Sequence, residues 1–227
     1  MSKLAVVLFT YNRLEYAKRT LESLFKNLHF YGEIQVHIAD DGSIEGYREE
    51  LVNFVSSGCG YNILCASKIT CTNSERQGYG QSYNLATQVV HVDNDYILCL
   101  EDDWECIREL NLNLFLEAFQ DPRIGCVRMG YIGYTQELKS SFISVANKHW
   151  LLLDKDSAEP HVFAGHPRLE TVAWQRAVGE WPVGLDPNQT EFAVCHIKKA
   201  REGVVWPADL ITPTGNLFAH FGAERAR

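Results

Sequence analysis

The chain has 227 residues, 46% of them apolar and 22% charged, which is enough to bury a substantial core without disulfide staples. Its 29 acids against 21 lysines and arginines give a net charge of −8, with no long basic run. That balance argues against a nucleic-acid footprint and fits one large α/β domain or two small lobes. A polyanionic ligand would have to be held through a cation or a few placed arginines.

Residues 4–9 form the first expected strand. They are too few for a signal h-region, lack a small-residue cleavage site, and run into polar Tyr11-Asn12-Arg13. Leu14, Ala17, Leu21, Leu24, Phe25 and Leu28 then recur at helical spacing. A second apolar run, 34–39, ends in Asp40-Asp41-Gly42-Ser43, and Tyr47, Leu51 and Phe54 mark one face of a short helix. A third strand is expected at 61–66, followed by a helix carrying Tyr83, Ala86 and Val90. Residues 97–100 read as a strand covered on both faces, running directly into Glu101-Asp102-Asp103. A helix is expected over about 108–120, stopped by Asp121-Pro122, and a strand over 124–129. Residues 142–153 look like a hairpin. Beyond residue 159 lie six of the seven prolines, so a loop-rich second lobe is expected to pack on the sheet rather than fold alone. Repeated βαβ units imply a mostly parallel, right-handed sheet with helices on both faces.

Seven cysteines (Cys59, Cys65, Cys71, Cys99, Cys106, Cys126, Cys195) include no Cys-x-x-Cys pair, and their number is odd. Reduced thiols and a cytoplasmic setting are expected. No stretch is long enough to cross a membrane.

Two strands therefore deliver carboxylates, and open α/β sheets bind ligands where their strands end. Clustered carboxylates gain stability from a cation, and Mg²⁺ or Mn²⁺ favours one or two of them plus phosphate oxygens. The first strand is followed by Thr10-Tyr11-Asn12-Arg13 instead of a glycine fingerprint, and no Walker loop or Gly-x-Ser-x-Gly elbow occurs. What survives is a nucleotide held by carboxylates and a metal.

The segments Val7-Leu8-Phe9-Thr10-Tyr11-Asn12-Arg13, Ala39-Asp40-Asp41-Gly42-Ser43, Arg76-Gln77-Gly78-Tyr79-Gly80-Gln81-Ser82-Tyr83-Asn84 and Leu100-Glu101-Asp102-Asp103 together resemble the family-2 glycosyltransferases of the GT-A fold. The resemblance covers roughly the first 130 residues and continues more loosely through Pro167-Arg168-Leu169, Glu191 and Phe218-Ala219-His220-Phe221-Gly222. It implies a single α/β domain over 1–227 with a GT-A, Rossmann-like sheet. About 1–130 would bind the nucleotide sugar, and about 131–227 would form a loop-rich acceptor half.

By motif, the resemblance places Thr10, Tyr11, Asn12, Arg13 and Asn84 in the donor pocket, with the Tyr11 ring near the base. Asp41 would accept from the base NH, Asp102 would sit at the ribose, and Arg76 and the amides around Gly78 would face the diphosphate. Arg76 reads equally well as an exposed loop arginine. Asp103 would hold Mn²⁺ or Mg²⁺, joined by His220; Glu101 fills the first position of the acidic motif, and which carboxylates touch the ion stays open. His161 and His166 read as acceptor-side residues or ordinary loop histidines, and Tyr131, Tyr134, Trp150, Trp174, Trp181 and Trp206 as a mixture of core and site. Glu191 would be the catalytic base, with Asp186 as its nearest rival. Its bland alternative is the N3 partner in a capping box begun by Asn188.

The implied activity is metal-dependent, inverting transfer of a sugar from a nucleotide-diphosphate donor, a UDP-sugar above all, to an acceptor hydroxyl. That acceptor would be a glycan, protein, lipid headgroup or hydroxylated nucleobase. The rivals are a sugar-phosphate nucleotidyltransferase and a non-catalytic nucleotide-sugar-binding module.

Overall fold

The computed structural model describes residues 1–58, 66–72 (as backbone), 75–129, 139–158, 165–209 and 216–222. The first half runs β1 (Ser2–Thr10), α1 (Leu14–Asn27), β2 (Leu28–His29), β3 (Gly32–Asp40), α2 (Tyr47–Ser56), β4 (Ala66–Thr72), α3 (Tyr79–Val90) and β5 (Tyr96–Glu101). It continues through β6 (Trp104–Cys106), β7 (Leu110–Asn111), α4 (Leu112–Leu116), β8 (Cys126–Arg128) and the hairpin β9 (Ser140–Val145) and β10 (Lys148–Leu153). β11 (Arg168–Thr171), α5 (Val172–Val178), α6 (Pro187–Cys195), β12 (Val204–Pro207) and β13 (Phe218–His220) complete it.

One nine-stranded sheet has the order β4-β3-β1-β5-β11-β8-β12-β10-β9. β4, β3, β1 and β5 are parallel, whereas β11 runs antiparallel to both of its neighbours, β5 and β8. The sheet is therefore mixed, and the second half extends it rather than forming a separate layer.

β1 shows why its interior is continuously apolar. Leu4, Val6 and Leu8 pack with Leu21 and Leu24 of α1 and Leu51 of α2, while Ala5, Val7 and Phe9 pack with Tyr83, Ala86 and Val90 of α3. Side chains alternate across a strand, so covering both faces requires apolar residues at every position.

Three expected boundaries move. β4 meets the strand expected at 61–66 only at Ala66, and residues 59–65 lie outside the described ones, as do Tyr131, Tyr134 and His161. β4 is an edge strand, for which β-branched Ile69, Thr70 and Thr72 suit better than a short apolar run. The helix expected over 108–120 shrinks to α4 followed by a 3₁₀ turn at Glu117–Gln120. Asn113 explains part of this: its side chain donates to Asn111 and accepts from the Tyr31 amide, a local pattern that competes with helix. The strand expected over 124–129 is Cys126–Arg128. The expected hairpin is present, and its turn places Ala146 and Asn147 at φ 49° and 62°, the twist that favours a two-residue connection.

Candidate active site

Register brings the acids together. Thr10 pairs with Asp40 across β1 and β3, and Phe9 with Glu101 across β1 and β5, so all three strands end at one edge. Asp40 itself is buried and structural, accepting from the Ser43 hydroxyl and amide and pairing with Arg48 at 3.3 Å. Asn12, at φ 52°, clips the same turn: its amide donates to Ser43 Oγ and its Oδ1 accepts from Ile44 N. Asp41 Oδ1 accepts from the amides of Gln77 and Gly78 at 2.8 and 3.0 Å, and Oδ2 from Gly78 at 3.1 Å. Asp41 therefore anchors the loop that starts α3, in addition to lining the cleft where the base contact is expected. Arg76, on that loop, lies over the Tyr11 ring at 4.4 Å.

The second cluster is built on Asp102 and Asp103. Asp102 Oδ2 accepts from Thr10 Oγ1 at 2.8 Å; that hydroxyl in turn accepts from Tyr47, whose burial pushes its phenol up to about 12 and keeps it a donor. Burial pushes the Asp102 carboxyl up to about 6 against the opposing pull of Arg13. Burial opposes ionisation of Asp103 too, but His220 and Arg13 outweigh it and hold that carboxyl below its usual range. The Arg13 guanidinium bridges the pair, Nη2 to Asp102 Oδ1 at 2.7 Å and Nη1 to Asp103 Oδ2 at 2.9 Å. His220 Nε2 lies 3.4 Å from that same Oδ2.

β13 positions His220 by pairing with β6, where His220 stands opposite Trp104. Phe221 is fixed between Tyr16, stacked at 5.2 Å, and Arg19 at 4.2 Å. A methyl group at Gly222 would overlap Asp103 Oδ2, so only glycine allows this approach. Trp104 packs between the His166 and His220 rings, at 5.1 and 5.0 Å.

Glu101, expected in the metal set, lies against Gly165 and near Glu191. Its carboxyl packs on Gly165, where any Cβ would overlap Oε1, and Gly165 N donates to Glu191 Oε1 at 2.6 Å. Burial, then the charge of Glu191, push the Glu101 carboxyl well up. Glu101 thus groups with Glu191 across Gly165, while Asp103 faces His220. Glu191 is not the capping partner: Asp186 caps α6 by accepting from Gln189 N at 2.9 Å, and Gln189 Oε1 accepts from Asp186 N. That box occupies Asp186, the rival base, and places Asn188 inside the helix.

A cleft of about 420 Å³, in the range of small-ligand pockets, opens over these groups. Thr10, Tyr11, Arg13, Asp41, Arg76, Gly78, Glu101 and Asp102 line it, joined from the second half by Leu185, Asp186 and Pro187. Asn84 is elsewhere: its side-chain amide donates to Trp181 O and accepts from Trp181 N, fixing the α3 face against that loop. Sequence reasoning gave no role to Tyr79, which lines the cleft, or to Tyr47 and Gly165. Tyr79 was visible only as part of the segment from Arg76 to Asn84.

Among the described residues no three or more His, Cys, Asp or Glu side chains converge as a complete metal cage. Asp103 and His220 nevertheless suit a cation whose remaining ligands come from phosphate and water, and Asp103 Oδ1 is buried without a hydrogen-bond partner.

The structure is similar to the S. aureus TarS fragment 1–349, with a TM-score of 0.64 and 15% identity over 91% of this chain and 58% of that one. It is also similar to GalNAc-T7 in complex with UDP, GalNAc and Mn²⁺, with a TM-score of 0.62 and 15% identity over 91% of this chain and 42% of that one. For the mannosyltransferase PcManGT from Pyrobaculum calidifontis, in complex with GDP-Man and Mn²⁺, the values are 0.56, 14%, 91% and 56%. The chain spans little more than half the length of the TarS fragment. At these identities the likeness shows a shared GT-A fold. No curated protein matches by sequence. The description "Glycosyl transferase family 2" matches residues 5–164, more than half of the chain, and the chain belongs to that family.

Proposed function

We propose that the chain transfers a glycosyl group from a UDP-sugar to an acceptor hydroxyl, with inversion and with Mn²⁺ or Mg²⁺ as cofactor. The observation that carries this reading is the cleft lined by Arg13, Arg76, Glu101 and Asp102 and by Leu185 to Pro187; Asp103 and His220 adjoin it through Arg13, and Glu191 through Gly165 and Glu101. UDP, UDP-GlcNAc or GDP-Man is bound in complexes of similar folds, and two of those complexes contain Mn²⁺. Residues of about 1–130 would serve the donor, and those of about 131–227, Glu191 among them, the acceptor. The acceptor class stays open among glycan, protein, lipid headgroup and hydroxylated nucleobase.

Inversion in one displacement needs a base opposite the leaving group. In this reading Glu191 removes the acceptor proton, the acceptor oxygen bonds to the anomeric carbon, and the bond to the nucleoside diphosphate breaks. Asp103 and His220 would hold the cation, which neutralises charge on the departing diphosphate. Arg76 supplies further positive charge beside Tyr11. Among the described residues Cys99, Cys106, Cys126 and Cys195 are in no disulfide, which supports a reducing compartment such as the cytoplasm. Among the described residues no helix is long and apolar enough to cross a membrane.

Calorimetry with UDP, with and without Mn²⁺, tests the donor reading. Mn²⁺ should strengthen UDP binding, and Asp103→Asn should abolish that gain with a melting temperature near native. An unchanged affinity for UDP with Mn²⁺ in Asp103→Asn would remove Asp103 from the metal site.

A further inference from the structure

We infer that Arg13 is a resident counter-cation which the metal must displace, so that Arg13 couples metal binding to arrival of the nucleotide diphosphate. The inference rests on the donor reading above and concerns one positioning residue of that site.

Arg13 makes both of its ion pairs with the acids the site needs, at 2.7 Å to Asp102 and 2.9 Å to Asp103. The atom it holds on Asp103 is Oδ2, the oxygen that also faces His220 Nε2 at 3.4 Å. A cation held by Asp103 and His220 would compete with the guanidinium for Asp103 Oδ2, and two like charges cannot share it. The Asp102 and Asp103 side chains are 1% and 9% exposed, so the repulsion is poorly screened; Arg13 is 25% exposed and has room to move outward. Asp103 Oδ1 is already buried and unpartnered, so the carboxylate has capacity for one further ligand.

The exit leads into the cleft that Arg13 itself lines. A guanidinium favours bidentate carboxylate or phosphate, and a bound diphosphate offers the second when the first is lost. Metal alone therefore binds against Arg13, whereas metal with diphosphate gives Arg13 a new partner. Linkage makes the effect reciprocal: the factor by which UDP strengthens Mn²⁺ equals the factor by which Mn²⁺ strengthens UDP.

The test is Mn²⁺ binding to the full chain, followed by electron paramagnetic resonance without nucleotide and then with saturating UDP. Arg13→Gln should bind Mn²⁺ alone at least about tenfold tighter than the native chain, and the strengthening by UDP should shrink by at least about tenfold. Arg13→Lys, which keeps the charge, should remain close to native in both. If Arg13→Gln does not fold, Arg13→Met keeps the aliphatic stem against Tyr16 and carries the same expectation. Equal or weaker Mn²⁺ binding in the folded neutral variant overturns the inference and leaves Arg13 as a tie that only holds the acids in place. A native chain that fails to bind UDP even with Mn²⁺ refutes the donor reading itself. Native UDP binding with unaltered Mn²⁺ affinity in the variant refutes Arg13 alone.

Discussion

Glu191→Gln is expected to slow sugar transfer by roughly 10²–10⁴-fold while leaving donor affinity and melting temperature near native. The structure makes this substitution selective. Glutamine still offers Oε1 to the Gly165 amide, which Glu191 engages at 2.6 Å, but it takes no proton at neutral pH. The capping box of α6 belongs to Asp186 and Gln189, so the helix start is untouched. Asp186→Ala is the matching control: losing the cap should cost about 1 kcal/mol of stability with little effect on turnover per folded molecule. Steady-state assays on a UDP-sugar, with UDP affinity measured in parallel, separate the outcomes. Full transfer activity in Glu191→Gln removes it as the base.

Glu170→Ala is expected to be the most destabilising single change in the sheet, by about 3–5 kcal/mol. Glu170 is fully buried on β11, bonded to Arg168 Nε at 2.5 Å and to Gln175 Nε2 at 2.8 Å, with Tyr83 OH at 3.4 Å. Truncation removes the carboxylate but leaves Arg168, 1% exposed, with its charge in the interior. The loss would show as a lower midpoint in urea with an unchanged slope. A shift below about 1 kcal/mol would mean that the guanidinium is compensated without Glu170.

Much of this was legible locally. The alternation of apolar strands and amphipathic helices up to β5 follows from side-chain periodicity, and each acid pair sits where an apolar run stops. Partnerships across the chain were not. Nothing near Glu101 says that its carboxyl turns toward Gly165 and Glu191, because those residues reach it through the position of β11 beside β5. Asn84 was assigned by motif, yet Trp181, far along the chain, claims both ends of its amide. Asp41 shows the same effect at shorter range: a turn acid expected to face a ligand lines the cleft but also accepts from the amides of Gln77 and Gly78. The start of α6 was misread by two residues because Asn188 and Asp186 are both competent caps, and only the fold of the preceding loop selects Asp186.

The place of β11 also constrains how the chain is made. β5, which carries the acids, is sealed on one side by β1 and on the other by a strand whose first residue is Arg168. During synthesis the edge of β5 therefore waits for about seventy further residues to be translated before its partner exists, a delay of several seconds at ordinary elongation rates. Over that interval the nascent chain presents an apolar edge bearing Leu98 and Leu100, the kind of template that pairs with neighbouring chains. Efficient production then depends on slow collisions between ribosome-bound copies or on a holdase covering that edge. Splitting the gene between β8 and β11 would make the exposure permanent.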